Sequence, residues 1–296
     1  MKRILVMVMV VLVALTGLRA ESYRDLLKAY LNYSGELNEM NMQEQLADAL
    51  TRVVPAENAT AVAGVVSEYA TTQMVEDLVD VMLPYFEKHV SDADLREMIK
   101  TYQDERYQQL HKQAQQLLGN LQNDQDYQRF MEKFQQDMGA IVQGNAVEDL
   151  TVPASINEAY QKAFKQYYVQ SGVGEILDNS FNAVTGMVRQ ELVNQGIPDA
   201  EKRADETGAY LIRNMEKLTM VIFSRVYSAD DLNYMTQMAD TEAGRHCMKA
   251  AKDMTANPFA LIGSMMQKMT TWLDAHHPEY GEKMQQVLQI LKGFGN

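Results

Sequence analysis

Residues 23–35 read YRDLLKAYLNYSG, and residues 160–172, 137 positions on, read YQKAFKQYYVQSG. The same offset aligns FEKHVSDADLREM (86–98) with FSRVYSADDLNYM (223–235). Tyr23 pairs with Tyr160, Lys28 with Lys165, Tyr30 with Tyr167, Ser34 with Ser171 and Gly35 with Gly172. Farther on, Phe86 pairs with Phe223, Ser91 with Ser228, Asp94 with Asp231, Leu95 with Leu232 and Met98 with Met235. One offset holding two separate blocks in register reads as an internal duplication. The period far exceeds the roughly 20–50 residues of a solenoid repeat, so each copy is expected to be a small domain.

Within these blocks the apolar period is helical. Leu26, Leu27, Tyr30 and Leu31 share one face, as do Leu78, Val81, Met82 and Tyr85. Strictly alternating runs joined by hairpin turns are missing, and Pro198, Pro258 and Pro278 sit at expected helix starts. Ser91-x-x-Asp94 and Ser228-x-x-Asp231 place a hydroxyl at an N-cap and a carboxylate one turn in, which satisfies orphan N–H groups and opposes the helix dipole. Gly35 and Gly172 stand where a left-handed residue ends a helix. The expected fold is all-α: two homologous repeats of about five helices, residues 21–150 and 151–296. Helices are expected near 22–33, 37–53, 56–88, 92–118 and 124–142, then 156–170, 174–194, 198–226, 229–254 and 258–274. An extra C-terminal helix follows near 279–292. The aperiodic run Gln143–Ser155 marks the seam, and Ser155-x-x-Glu158 reads as the capping box that opens the second copy.

The opening MKRILVMVMVVLVALTGLRAES has a basic start, an apolar run and a small-residue exit. It reads as a signal peptide, residues 1–20, cut after Ala20. The apolar run is shorter than the ~20 residues of a spanning helix, and no later stretch is long and apolar enough, so no membrane insertion of the mature chain is expected. The chain carries 27 Lys+Arg and 40 Asp+Glu; without Lys2, Arg3 and Arg19 the balance is 24 against 40, near −16. An acidic surface with no basic cluster repels phosphate backbones, which argues against nucleic acid as a partner. Cys247 is the only cysteine, so no intramolecular disulfide forms, and it is expected to be a small buried residue.

The segments around Ser91 and Ser228 resemble a family of bacterial secreted proteins known as domain of unknown function 2059. Its pattern runs aromatic, Thr or Ser, two residues, acidic, Leu, then an apolar stretch and Thr/Ser-Pro-x-Gly. The second segment follows it through Phe223, Ser228, Asp231, Leu232 and Met235 to Thr241-Glu242-Ala243-Gly244, with Glu242 in place of Pro. The first keeps Phe86, Ser91, Asp94, Leu95, Met98 and Tyr102 but continues Asp104-Glu105-Arg106-Tyr107, without Gly. The resemblance implies a helical, exported, periplasmic or secreted protein and supplies no catalytic residue.

Other chemistry is sparse. No Ser/His/Asp arrangement, phosphate loop, HExxH or paired-Cys spacing is readable, and no cofactor is expected. His246 and Cys247 are adjacent and point about 100° apart on a helix, so they do not chelate one ion. His276, His277 and Glu279, with Asp274, are the densest potential metal ligands. The 21 methionines include Met40-x-Met42, Met235-x-x-Met238 and Met265-Met266-x-x-Met269, which suit a helical core, a Cu(I) site or a groove that repacks around peptides. Tyr30, Tyr33, Tyr167 and Tyr168 suit half-buried helix faces or a ligand surface. The reading favoured is a non-catalytic module binding an envelope protein or peptide; the alternative is a metal-binding protein or hydrolase using the His276–Glu279 turn or the Met-rich helices.

Overall fold

The structure, a computed structural model, describes residues 22–34, 59–118, 123–256 and 258–281. Expected features at residues 1–20, 37–53 and beyond 281, with Gly35, lie outside them. The described residues are helical, with no strand. The first half contributes α1 (Tyr23–Ser34), α2 (Ala59–Thr72), α3 (Met74–His89), α4 (Asp92–Tyr102), α5 (Glu105–Leu118) and α6 (Gln125–Val142). The second contributes α7 (Glu158–Gln170), α8 (Val173–Asn194), α9 (Ala200–Val226), α10 (Ala229–Ala239), α11 (Glu242–Thr255) and α12 (Pro258–His276). The bounds of α4 and α10, and those of α5 and α11, lie 137 residues apart at both ends.

Local chemistry sets the ends. Ser91 Oγ accepts from the Asp94 N–H while the Asp94 carboxylate accepts from the Ser91 N–H, and Ser228 with Asp231 does the same. Gly172 takes φ +68° after Ser171 and ends α7. Three expected helices are each two. Residues 56–88 break at Gln73. Residues 92–118 break at Gln103–Asp104, where Asp104 Oδ1 accepts from the N–H groups of Arg106 and Tyr107. Residues 229–254 break at Asp240–Thr241, where Thr241 Oγ1 accepts from the Gly244 N–H. A fresh N-cap outcompetes continuation of the helix, although the apolar period runs on across the break. The second half opens on Asn157, whose side chain accepts from Tyr160 N–H, in place of the expected Ser155 box.

The halves exchange their last helices. The face of α11 bearing Ala243, Cys247 and Ala250 is buried with Leu26, Leu27, Phe86, Leu95 and Met98 of α1, α3 and α4. Those side chains are small, so α11 seats closely. In return α5 and α6 pack against α9, the helix of the second half corresponding to α3. Phe130 and Ile141 of α6 join Phe164, Tyr210 and Leu232 in the second core, together with Leu150 and Ile156. Tyr210 donates to Asp137 of α6 (2.8 Å), and Arg225 of α9 pairs with Asp124 and Asp126 (2.9 and 2.8 Å). A third cluster packs Tyr69 of α2 on Trp272 of α12. Residues either side of position 150 thus share one core.

Exchange makes each half a poor unit alone. Residues 151–296 expressed without 21–150 lose Phe130, Ile141 and the acceptor of Tyr210. They are expected to give weakened far-UV circular dichroism and no cooperative unfolding, with both recovered on co-expression of residues 21–150. Cooperative unfolding of the isolated second half would overturn the exchange as a folding requirement.

Candidate functional site

The exchanged helices meet along a seam. There α5 and α11 each touch the capping-box aspartate of the other half. Arg106 at the start of α5 reaches Asp231 (3.2 Å) and lies 4.4 Å over the Tyr234 ring, and Tyr234 donates to Asp104 (3.0 Å). His246 of α11 meets Asp94 (3.0 Å). At the far end of α11, Asp253 bridges Lys88 (2.7 Å) and His89 (2.6 Å) of α3. Hydrogen bonds from Lys88 and His89 hold the Asp253 carboxyl down at about 2. Burial opposes ionisation of Asp94 and Asp231, but capping bonds from Ser91 and Ser228, then His246 and Arg106 respectively, keep both below the usual carboxylate range.

Between these contacts lies a cavity of about 300 Å³ lined from both halves. Its lining falls largely into pairs 137 residues apart: Tyr30 with Tyr167, Met98 with Met235, and Leu110 with Cys247. Three further pairs are unlike: Tyr102 with Ala239, Tyr107 with Gly244, and His111 with Met248. The cavity therefore sits where residues at corresponding positions of the two halves come together. The described lining contains no Asp, Glu, Lys or Arg. Burial pushes Tyr167 up to about 12 and raises Tyr227 as well, so these phenols are neutral near pH 7. The site can hold an uncharged, ring-sized group against aromatic faces and thioethers.

The residues singled out in sequence fall in different places. Ser91, Asp94, Ser228 and Asp231 are caps that also carry the seam contacts. His276 Nδ1 is 2.9 Å from the Trp272 carbonyl oxygen, and its ring stacks on that indole at 4.8 Å. His277 instead meets Glu68 (3.0 Å) and lies 3.8 Å from Glu279. The two imidazoles thus serve different partners, and among the described residues no group of three His, Cys, Asp or Glu is placed to hold a metal. Cys247 is buried in the first core while its neighbour His246 reaches Asp94. Met238 is buried and Met235 packs against the second core, as their spacing suits, and both also line the cavity. No helix among the described residues is long and apolar enough to cross a membrane.

Comparison with protein-family models, with curated proteins and with solved structures finds no match to this chain.

The seam carboxylates fix an acid response. Groups with depressed folded pKa values stabilise the fold above their unfolded pKa, and that contribution is lost as pH falls through the folded value. The window here runs from about 4 down to about 2, set by Asp94, Asp231 and Asp253. The urea midpoint is expected to drop between pH 5 and pH 2.5, with a smaller drop for Asp253→Asn. An Asp253→Asn profile that keeps the full acid loss would remove Asp253 from this account.

Proposed function

We propose that the protein is an exported, non-catalytic binding module made of two copies of one helical unit. In this reading it holds an apolar anchor of an envelope protein or peptide in the seam cavity. The observation that carries it is the cavity of about 300 Å³ to which both halves contribute at corresponding positions. A volume of that size suits one or two side chains rather than a whole helix, and the lining is dominated by aromatic, thioether and other apolar side chains, with no Asp, Glu, Lys or Arg among its described residues. The leader-like pattern of residues 1–20 and the likeness of the Ser91 and Ser228 segments to a secreted family support export, and the full chain's net charge of −13 argues against nucleic acid. The test is a photo-crosslinking residue at position 248, in cells. One recurring envelope polypeptide is expected; a cavity position that captures none, while the protein folds and is exported, sinks the binding reading.

A second reading has one observation in its favour. Met98, Met235, Met238 and Met248 line the same cavity as Cys247 and His111, a set of soft donors suited to Cu(I). Anaerobic titration of the mature protein with Cu(I) against a colorimetric chelator checks it. No competition, and no change in melting temperature, excludes this reading.

A further inference from the structure

The unlike pairs in the cavity indicate what it takes. On the wall from α4 and α5, Tyr102 and Tyr107 stand with ring centres 4.7 Å apart, and His111 lies parallel to Tyr107 at 6.3 Å. Tyr107 is fixed by donating to the Ser34 carbonyl (2.8 Å), and Tyr102 also packs on Tyr30 (5.5 Å). The wall from α10 and α11 has no counterpart to this ladder. Ala239 and Gly244 occupy the positions corresponding to the two tyrosines, and Met248 that of the histidine. Gly244 is held bare: a Cβ there would stand 2.5 Å from the Met238 carbonyl oxygen and 2.8 Å from that of Ala239. The first turn of α11 presses so closely on the end of α10 that a ring cannot be restored at Gly244 without parting the two helices.

We propose that this gap receives one aromatic side chain of a peptide partner, stacked on the Tyr102–Tyr107–His111 ladder and backed by Met235, Met238 and Met248. The proposal rests on the binding reading of the same cavity and names its ligand. Charge selects a neutral group, because the described lining has no Asp, Glu, Lys or Arg to pair with an ion of either sign. Shape selects a ring, because the aromatic ladder on one side of the cavity is matched on the other only by Ala239, Gly244 and the flexible Met248. Thioethers favour aromatic neighbours and adapt to their outline.

The cavity methionines report directly. In the full mature protein labelled at methionine methyls, with signals assigned by single Met→Leu changes, N-acetyl-L-tyrosinamide and N-acetyl-L-tryptophanamide are titrated as probes. Upfield ring-current shifts are expected at Met235, Met238 and Met248 and not at Met74 or Met269, which sit in a different core. N-acetyl-L-leucinamide is expected to leave all five unmoved. Ala239→Phe, which fills the gap, should abolish the shifts with helix content unchanged. Should that variant not fold, Tyr107→Leu is expected to weaken the tyrosinamide by about tenfold or more, as loss of a matched contact does. No methyl shift at millimolar probe, equal shifts with leucinamide, or shifts that survive both variants would overturn the proposal. Tighter binding of p-cresol than of the tyrosinamide would overturn its peptide part and assign the gap to free small aromatics. A crosslinked partner without aromatic binding defeats this inference alone, whereas aromatic binding without any partner defeats the envelope reading alone.

Discussion

The small-residue face of α11 seated on α3 and α4 determines how the remaining helices are disposed. Ala243, Cys247 and Ala250 are at most 4 % exposed there. Because α11 occupies that slot, α5 is left to the corresponding slot on α9, and α6 and α12 follow their neighbours across. The hinges that permit this are two residues long, Gln103–Asp104 and Asp240–Thr241. An exchange between separate chains forms only as concentration rises. Within one chain the partner is always present at a high effective concentration, so closure is intramolecular and favoured at any protein concentration. Ion pairs decorate this arrangement. Most of the seam charges are partly solvated, and exposed pairs contribute little each, so apolar burial carries the stability and the charges set register.

Much of the helical character was legible because it is written locally. Leu26, Leu27, Tyr30 and Leu31 are buried on one face as their spacing requires, and Ser91 with Asp94 forms its cap from residues three apart. The breaks at Gln103 and Asp240 were less legible. The apolar period runs through them, and only Asp104 and the Thr241–Gly244 turn mark the new N-caps. Partner choice was not legible at all. Leu110 and Cys247 occupy corresponding helical positions, and nothing in the local pattern of either says that its helix packs on the opposite half. The cavity was hidden for the same reason. Met235 and Met238 have core spacing, and whether a core-spaced side chain meets another helix or a gap depends on which helix lies opposite. The sequence signals that pointed there were the turn following Thr241, where the two segments diverge, and the methionines and tyrosines (Met235, Met238, Tyr30 and Tyr167) that suited a groove or ligand surface as well as a core.

A seam lined by corresponding residues of the two halves constrains where a site can arise. Tyr30 and Tyr167, and likewise Met98 and Met235, present like side chains to the cavity from the two halves. A change on one side only, such as Tyr102 against Ala239, leaves space with no compensating change opposite. Such a gap costs stability, because the atoms lining it lose packing partners and flexible thioethers tend to collapse inward. Here collapse is opposed on the ladder side, where Tyr107 is held back by its bond to the Ser34 carbonyl. A gap maintained against its own cost by rigid walls is preorganised, so an occupant that fills it recovers the lost contacts without first reshaping the protein. In the binding reading proposed above, the seam is therefore the place where a difference between corresponding residues leaves room for a ligand.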